Sequence, residues 1–277
     1  MTITLIPNRI KPEADTLMTE VAIALQSAGV SVNTVQDTVL PPAAALTEAL
    51  EGSDVAVAIG GDGTIMHVAK AAAEISCPVL GINGGRVGFL AGIEPEELEQ
   101  LPQLLSGDYM VDERLLLDIT VHTAEGEQTF LAMNEAVLSR GSLSRLVDVT
   151  VTADGGDVMT CRGDGMIVAT PTGSTAYSLS AGGPVVDPAV DCILLTPVCP
   201  HALDSRSRLL PAYTELTLRA ATADSEMAYL TVDGEENIPL APQDYVTISR
   251  ADTTARLIRL TAATVHDGLR RKLSDRR

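Results

Sequence analysis

The residues with the clearest potential for chemistry lie in one stretch, Val55 to Lys70, where three glycines surround a single carboxylate, Asp62. The sequence here predicts a buried strand, a glycine turn and then a helix that begins near Thr64. A helix N-terminus presents unpaired N–H groups to an anion, and glycines let that anion approach the main chain without meeting a Cβ. The pattern therefore predicts a phosphate-binding turn made by Gly60, Gly61, Gly63 and Thr64.

A carboxylate is unexpected in a site that binds only phosphate, because it repels the anion. Its presence is explained if Asp62 accepts the proton of an attacking hydroxyl group, or helps to hold a magnesium ion that bridges two phosphates. The structural alternative is a tight strand-to-helix turn with Asp62 near the N-cap of the helix. Short glycine motifs occur in many unrelated turns, so this stretch alone leaves both interpretations open.

The composition of the 277-residue chain limits its partners and its compartment. The formal net charge of −18 gives a surface that repels nucleic acid and anionic membranes, so we expect neither as a main partner. The sequence has no evident signal peptide and no apolar run near the roughly 18 residues of a membrane span. The cysteines lack the spacing of a zinc site, so we expect buried free thiols at Cys77, Cys161, Cys192 and Cys199. Free thiols are typical of a reducing compartment, so we expect a cytoplasmic protein.

Strands and helices alternate in the first part of the chain. Strands are predicted at residues 2–6, 30–35, 55–59 and 78–83, and helices at 15–27, at 41–50 and after the glycine turn. This order predicts a Rossmann-like α/β domain with a parallel sheet at residues 1–99. Ligands bind beyond the carboxyl ends of such strands, where both Asp62 and Asn83 lie. An acidic helix is expected at residues 94–106.

Strand patterns dominate the second part, so we expect an all-β sandwich domain at residues 100–264. The predicted strands cover residues 114–122, 128–140, 146–153, 166–170, 189–196, 215–220, 228–232 and 245–249. A basic cluster begins at Leu269, and its simplest interpretation is a solvated chain end.

Two features of this β-rich part have the residue types of a binding site. Residues 171–184 combine proline, glycine and small hydroxyl residues before a short helix, and the ring of Tyr177 there has the chemistry to stack on a nucleobase. Asn134 and Glu135 lie within an apolar strand, where a polar pair without partners costs free energy. These two residues either bond to the backbone or recognise ribose hydroxyls or an amide. The Gly-x-Ser-x-Gly motif expected of a serine hydrolase is absent.

A series of motifs in this chain resembles, in the same order, the motifs of the NAD kinase family. They are Gly60-Gly-Asp-Gly-Thr64, Gly81-Ile-Asn83 with Gly88-Phe-Leu90, Asn134-Glu135 with Arg140-Gly141, Gly163-Asp-Gly165, Thr170 to Tyr177, Thr196 to His201 and Val232-Asp-Gly234. The first motif is also similar to one in lipid kinases and phosphofructokinases. Its combination with the tyrosine loop is specific to NAD kinases.

The resemblance implies an enzyme that transfers the γ-phosphate of ATP to the 2′-hydroxyl of the adenosine ribose of NAD and so makes NADP. A divalent metal, Mg²⁺ or Mn²⁺, would accompany ATP, with no fixed protein ligands for it. The family also implies a homodimer or homotetramer whose subunits complete each other's sites, and a C-terminal tail, residues 265–277, that returns to the first domain.

The resemblance also implies roles for single residues. Asp62 would take the hydroxyl proton, Gly63 and Thr64 would face phosphate, and Asn83 would belong to the same loop. Asn134 and Glu135 would hold ribose or adenine, and Asp164 would bind the nicotinamide end. The other residues implied to contact NAD are His67, Arg145, Arg162, Thr175, Ala176, Tyr177, Ser178, Ser180 and Glu235.

Several alternatives stay open at the level of sequence. Taken without the family, His67 is a helix-face histidine and Arg145 a surface charge. Glu235 stands where the family often has glutamine, and a carboxylate there accepts but does not donate hydrogen bonds. Arg162 stands where family members that use polyphosphate tend to have glycine, which favours ATP. A diacylglycerol-type lipid kinase and a non-catalytic NAD sensor are the competing functions, whereas the Gly-x-Gly-x-x-Gly motif of an oxidoreductase is absent.

Overall fold

A computed structural model describes residues 1–10, 13–37, 39–84, 88–141, 145–202, 205–222 and 227–260. The chain divides into two compact units: the first comprises Met1–Arg114 and residues 253–260, and the second comprises Leu115–Asp252. The tail predicted to return to the first domain, residues 265–277, and the basic cluster from Leu269 lie outside the described residues.

The two units contain different kinds of secondary structure. The first unit holds β1 (Thr2–Pro7), α1 (Glu13–Ser27), β2 (Ser31–Thr34), α2 (Ala43–Leu50), β3 (Val55–Gly60), α3 (Asp62–Ala73), β4 (Val79–Asn83), a 3-10 helix (Pro95–Gln100) and α4 (Gln103–Ser106). The second unit holds β6 (Gly126–Ala132), β7 (Glu135–Arg140), β8 (Val147–Ala153), β9 (Gly156–Gly163), β10 (Gly165–Ala169), a 3-10 helix (Thr172–Thr175), α5 (Tyr177–Ser180), β11 (Cys192–Val198), β12 (Arg208–Pro211), β13 (Leu216–Ala221), β14 (Ala228–Val232) and β15 (Glu236–Leu240). Two long strands have residues in both units, β5 (Met110–Thr123) and β16 (Tyr245–Arg259).

The first unit is built on a parallel sheet with the strand order β2-β1-β3-β4. Every residue of β3 is buried, because helices cover both faces of a parallel sheet of this kind. Helix α1 is amphipathic and buries Leu17, Val21 and Leu25, which are four residues apart and therefore share one face. The apolar side chains of these elements form a single core cluster.

The acidic helix predicted at residues 94–106 is wrong in one respect, since two short helical segments stand in its place. The 3-10 helix ends at Gln100 and α4 begins at Gln103, with Pro102 as the N-cap of α4. Proline has no N–H to donate and its ring does not fit the interior of an α-helix, so the chain cannot continue as one helix through this position.

The second unit is an antiparallel sandwich. One sheet has the order β12-β11-β10-β7-β14-β15, and the other includes β16, β13, β8 and β9. Inward-facing residues alternate along the strands, as at Val147, Val149 and Val151 of β8, and form the core between the sheets. An α/β unit followed by a sandwich is the fold class predicted from the sequence, and that prediction is confirmed.

The strand predicted at residues 128–140 is interrupted. β6 ends at Ala132 and β7 begins at Glu135, so Met133 and Asn134 form a bend between two strands. Three strands were not predicted, β9, β12 and β15. The strands β9 and β15 begin with exposed polar residues, and β12 has only four residues, so none of them shows a clear alternation. None of the helices in the described part of the chain has the length and apolar character that a membrane crossing requires.

The four cysteines are all free thiols, but the prediction that all are buried is wrong for one of them. Three are buried: Cys77, Cys161 and Cys192. Cys199 is exposed because it follows the last residue of β11 in a turn, where its backbone has a positive φ of 47°.

Candidate active site

The chain passes directly from β3 into α3 through the glycine turn. Gly61 is the N-cap and Asp62 is the first residue of the helix, so α3 begins two residues earlier than the sequence predicted. Gly60 is required by packing, because a Cβ there would lie 2.5 Å from Oγ1 of Thr64. The first N–H groups of α3 therefore point from a tight turn at the carboxyl end of a buried strand, which is a favourable geometry for an anion.

The Asp62 carboxylate is held by backbone N–H groups. Phe89 donates to Oδ1 at 2.9 Å, and Leu90 donates to the same oxygen at 3.1 Å. Phe89 also approaches Oδ2 at 3.1 Å. Gly88 lies so close that a Cβ at that position would collide with Oδ1. The carboxylate is thus fixed in one orientation at the N-terminus of α3 by the chain that follows β4.

The predicted phosphate-binding residues differ in what they expose. An added Cβ at Gly63 would meet no described atom within 4 Å, so this position is open. Thr64 is buried and its hydroxyl accepts a hydrogen bond from Nδ2 of Asn8 at 2.9 Å. Asn83 is also buried, and its side-chain amide donates to Glu94 at 2.7 Å. The side chains of Thr64 and Asn83 therefore make contacts within the first unit, and their predicted place in the phosphate-binding loop stays a prediction.

His67 lies one turn into α3 and is half-buried. Its Nε2 is 2.7 Å from the carbonyl oxygen of Pro41. The ring therefore makes a contact within the first unit, and its predicted role in NAD binding stays a prediction.

The second unit brings Asn134 and Glu135 to the bend between β6 and β7. Glu135 is buried, with 7% of its surface exposed, and its Oε2 has no hydrogen-bond partner among the described residues. The pKa of Glu135 is raised to about 7 by burial and by the negative charge of Asp233, against the opposing effect of a hydrogen bond from the backbone N–H of Tyr177. A buried oxygen in this state is prepared to accept a hydrogen bond from a ligand hydroxyl group.

Asp164 lies next to a residue that the sequence analysis did not assign to the site. Arg140 Nε is 2.9 Å from Oδ1 of Asp164, and the backbone N–H of Arg140 donates to the Asp164 carbonyl at 3.1 Å. Both residues line a cavity of about 210 Å³ together with Val137, Ser139, Gly141, Tyr177 and Val198. The position of Arg140 at the end of an apolar strand, directly before a glycine, was the available signal for its role.

The loop around Tyr177 places some of its predicted residues outward and others inward. Tyr177 begins α5 with 45% of its surface exposed, and Ser180 is also exposed. Ser178 is fully buried, and its hydroxyl lies 2.8 Å from that of Thr196. The Ser178 hydroxyl therefore makes an internal hydrogen bond, and the predicted contact of Ser178 with NAD stays a prediction. Thr175 is the last residue of the 3-10 helix and Ala176 joins that helix to α5, and both are half-buried.

The remaining predicted residues of the second unit lie on its surface. Arg162 is in β9 with 67% of its side chain exposed, 4.0 Å from Asp148. Arg145 is exposed at the start of the chain segment that leads into β8. Glu235 is exposed in the turn between β14 and β15. Among the described residues, no group of three or more His, Cys, Asp or Glu side chains could hold a metal ion.

Comparison with known proteins identifies the family. Residues 40–109 match the ATP-NAD kinase N-terminal domain, and residues 133–260 match the ATP-NAD kinase C-terminal domain. The chain is 42% identical over 283 residues to the NAD kinase of Symbiobacterium thermophilum, with 98% of each protein covered. It is 42% identical to the NAD kinase of Moorella thermoacetica over 79% of this chain and 70% of that protein.

Solved structures have the same fold. A crystal structure of an NAD kinase from Archaeoglobus fulgidus in complex with ATP superimposes with a TM-score of 0.78 at 26% identity, covering 99% of both chains. The structure of yeast NADH kinase complexed with NADH has a TM-score of 0.82 at 23% identity, covering 99% of this chain and 88% of that one, and supports the fold alone. The chain therefore belongs to the NAD kinase family, which confirms the resemblance and the phosphotransferase class predicted from its sequence.

Proposed function

We propose that this protein transfers the γ-phosphate of ATP to the 2′-hydroxyl of the adenosine ribose of NAD and releases NADP and ADP. The observation that carries this proposal is the Asp62 carboxylate, fixed at the N-terminus of α3 by the N–H groups of Phe89 and Leu90. Binding a phosphate would not require this acid, whereas activating a hydroxyl group does.

Asp62 has the capacity to act as the general base. The N–H groups of Phe89 and Leu90 bind its carboxylate and fix its orientation at the start of α3. In the transfer step, Asp62 accepts the hydroxyl proton as the ribose oxygen bonds to the γ-phosphorus and the bond to the β-phosphate oxygen of ATP breaks. The open N-terminus of α3 at Gly63 supplies N–H groups to the phosphates.

The second unit is proposed to hold NAD. Oε2 of Glu135, which has no hydrogen-bond partner in the described part of the chain, accepts a hydrogen bond from a ribose hydroxyl, and the exposed ring of Tyr177 stacks on a base. Asp164, oriented by Arg140, accepts hydrogen bonds from the carboxamide of the nicotinamide. The backbone of Thr175 and Ala176 and the exposed Ser180 border the dinucleotide, and Arg162, Arg145, His67 and Glu235 are candidates for further contacts.

A divalent metal, Mg²⁺ or Mn²⁺, is proposed to accompany ATP. When it is bound it neutralises phosphate charge. That neutralisation matters here because the formal net charge of the chain is −18 and an uncompensated ATP would be repelled. The metal is expected to arrive with the nucleotide rather than to occupy a permanent protein site.

We further propose that the protein is a cytoplasmic homodimer or homotetramer. The four free thiols fit a reducing compartment, and self-association is what the family resemblance implies. Light scattering of the purified protein measures the subunit number, and a monomer at all concentrations contradicts this part of the proposal.

The experiment that tests the function is an acceptor comparison. The purified protein is incubated with ATP and Mg²⁺ together with either NAD or diacylglycerol, and NADP is detected with an NADP-specific dehydrogenase. NADP formation that is lost on chelating the metal is the expected result. Phosphorylated lipid would support the lipid kinase alternative instead, and NAD binding without NADP formation would support a non-catalytic sensor.

A further inference from the structure

The bend between β6 and β7 comprises Met133 and Asn134, and Glu135 follows it as the first residue of β7. Three consecutive N–H groups at this bend donate to one carboxylate, that of Asp233. The N–H of Met133 donates to Oδ2 at 2.9 Å, and those of Asn134 and Glu135 donate to Oδ1 at 2.8 and 3.1 Å. The Asp233 carboxylate thus satisfies the backbone donors of three successive residues where β6 gives way to β7.

The carbonyl groups of the same three residues are also bonded. Thr170 donates its hydroxyl to the carbonyl of Met133 at 2.6 Å and its N–H to that of Asn134 at 2.9 Å. The N–H of Asp233 donates to the carbonyl of Glu135 at 2.9 Å. All backbone polar groups from Met133 to Glu135 are therefore satisfied within the second unit, so the backbone of the bend is held on both sides.

Asp233 itself has a left-handed backbone conformation. It is 9% exposed and has a positive φ of 50°, a conformation that aspartate and asparagine tolerate better than most residues. Its charge also acts on Glu135. After burial, the Asp233 charge is the second cause that raises the pKa of Glu135, and the Tyr177 N–H is the opposing donor.

We propose that Asp233 is a positioning residue for the NAD site, which orients the side chains of Asn134 and Glu135 by binding the three backbone N–H groups of the bend. This inference rests on the proposed function, because it assumes that Asn134 and Glu135 contact NAD. It goes beyond that function because it assigns the orientation of Asn134 and Glu135 to a residue about a hundred positions later in the chain.

The variant Asp233→Asn tests the proposal. Asparagine keeps the volume and tolerates the positive φ, but its amide nitrogen must face the N–H of Met133 or those of Asn134 and Glu135, donor against donor. We expect the Kd for NAD, measured by calorimetry, to rise by about tenfold, the effect of leaving one or more buried donors unpaired. The Kd for ATP is expected to stay within about twofold of the wild type.

The pH dependence of the affinity for NAD provides a readout that a general loss of stability would not change. Removing the Asp233 charge lets the pKa of Glu135 fall, so the pH at which NAD affinity changes is expected to move to lower pH in Asp233→Asn. An unchanged Kd for NAD and an unchanged pH profile in a folded Asp233→Asn protein would overturn the proposal.

Asp244 provides a matched control in the same unit. It is 8% exposed, its Oδ2 accepts the N–H of Ala241 at 2.8 Å, and its own N–H donates to the Ala241 carbonyl at 2.9 Å. Asp244→Asn is expected to lower stability while leaving the Kd for NAD and its pH profile unchanged. If Asp244→Asn weakens NAD binding as much as Asp233→Asn does, the effect is one of stability and the proposal fails.

Hydrogen exchange of the wild-type protein decides the question if Asp233→Asn does not fold. The amides of Met133, Asn134 and Glu135 are expected to be as protected as those of β7, and fast exchange at these three would overturn the proposal. Because binding is measured without turnover, a wild type that binds NAD but makes no NADP would refute the proposed function and leave this inference standing. A wild type that does not bind NAD would refute both.

Discussion

Replacing Gly63 with alanine separates the effect of this glycine on stability from its effect on phosphate binding. It is the second residue of α3, and a Cβ added there would meet no described atom within 4 Å. Alanine is favoured over glycine in helices by about 0.5–1 kcal/mol, because glycine loses more backbone freedom on folding. Gly63→Ala therefore stabilises the fold. If the protein requires glycine at this position, the reason is the space that a bound ligand occupies.

The loss of activity expected in Gly63→Ala follows from the position of Gly63 at the open N-terminus of α3. A methyl group there occupies the space through which the phosphates approach the first N–H groups of the helix. A displacement of about 1 Å of a reacting group costs roughly 10²-fold in rate. We therefore expect Gly63→Ala to raise the free energy of unfolding by up to about 1 kcal/mol and to lower kcat/KM for ATP by about 10²-fold.

Two neighbouring glycines serve as controls for this measurement. A Cβ at Gly60 would collide with the side chain of Thr64, and a Cβ at Gly88 would collide with the carboxylate of Asp62. Gly60→Ala and Gly88→Ala should each lose about 1–3 kcal/mol of stability by overpacking. Urea unfolding and steady-state kinetics on the three variants check these expectations. A Gly63→Ala enzyme that is stabilised and keeps its full kcat/KM would refute the assignment of this turn to phosphate binding.

Two further predictions concern titrating carboxylates. The raised pKa of Glu135 means that the wild-type protein loses up to about 3 kcal/mol of stability as the pH rises from the ordinary pKa of 4.5 to about 7, and Glu135→Gln should remove this slope in urea unfolding across that range. Burial alone would raise the pKa of Asp112, but the hydrogen bond and charge of Arg259 and the charge of Arg114 lower it. Asp112 therefore stabilises the fold above its ordinary pKa of 3.8 and less as the pH falls through its lower native value. Asp112→Asn should cost about 1–3 kcal/mol at neutral pH and weaken this acid dependence, and a neutral-pH stability equal to that of the wild type would contradict the prediction.

The sequence predicted the Asp62 turn well because its determinants are local. A buried strand, closely spaced glycines and an alanine-rich helix follow one another within residues 55–73, and each type of element has its own periodicity. The alternation of strands and helices was sufficient for the parallel sheet, and the regular turns of the later part were sufficient for the sandwich.

Long-range contacts account for what the sequence could not predict. The run from 128 to 140 reads as one apolar strand, but at its interruption the N–H of Met133 donates to Asp233, which is 100 residues away. The sequence also could not predict the direction of side chains. A buried hydroxyl group has the same chemistry as an exposed one, and only the contacts of Thr64 with Asn8 and of Ser178 with Thr196 show that both side chains face inward.

The most direct test of the central claim is a comparison of NAD binding and NADP formation in Asp62→Asn. Asparagine retains one oxygen that can accept both N–H groups now bound to Oδ1, those of Phe89 and Leu90, so the turn is expected to keep its shape. If Asp62 is the general base, the Kd for NAD stays within about threefold of the wild type and kcat falls by about 10²–10⁴-fold. An Asp62→Asn enzyme that binds NAD and forms NADP at the wild-type rate would contradict the account.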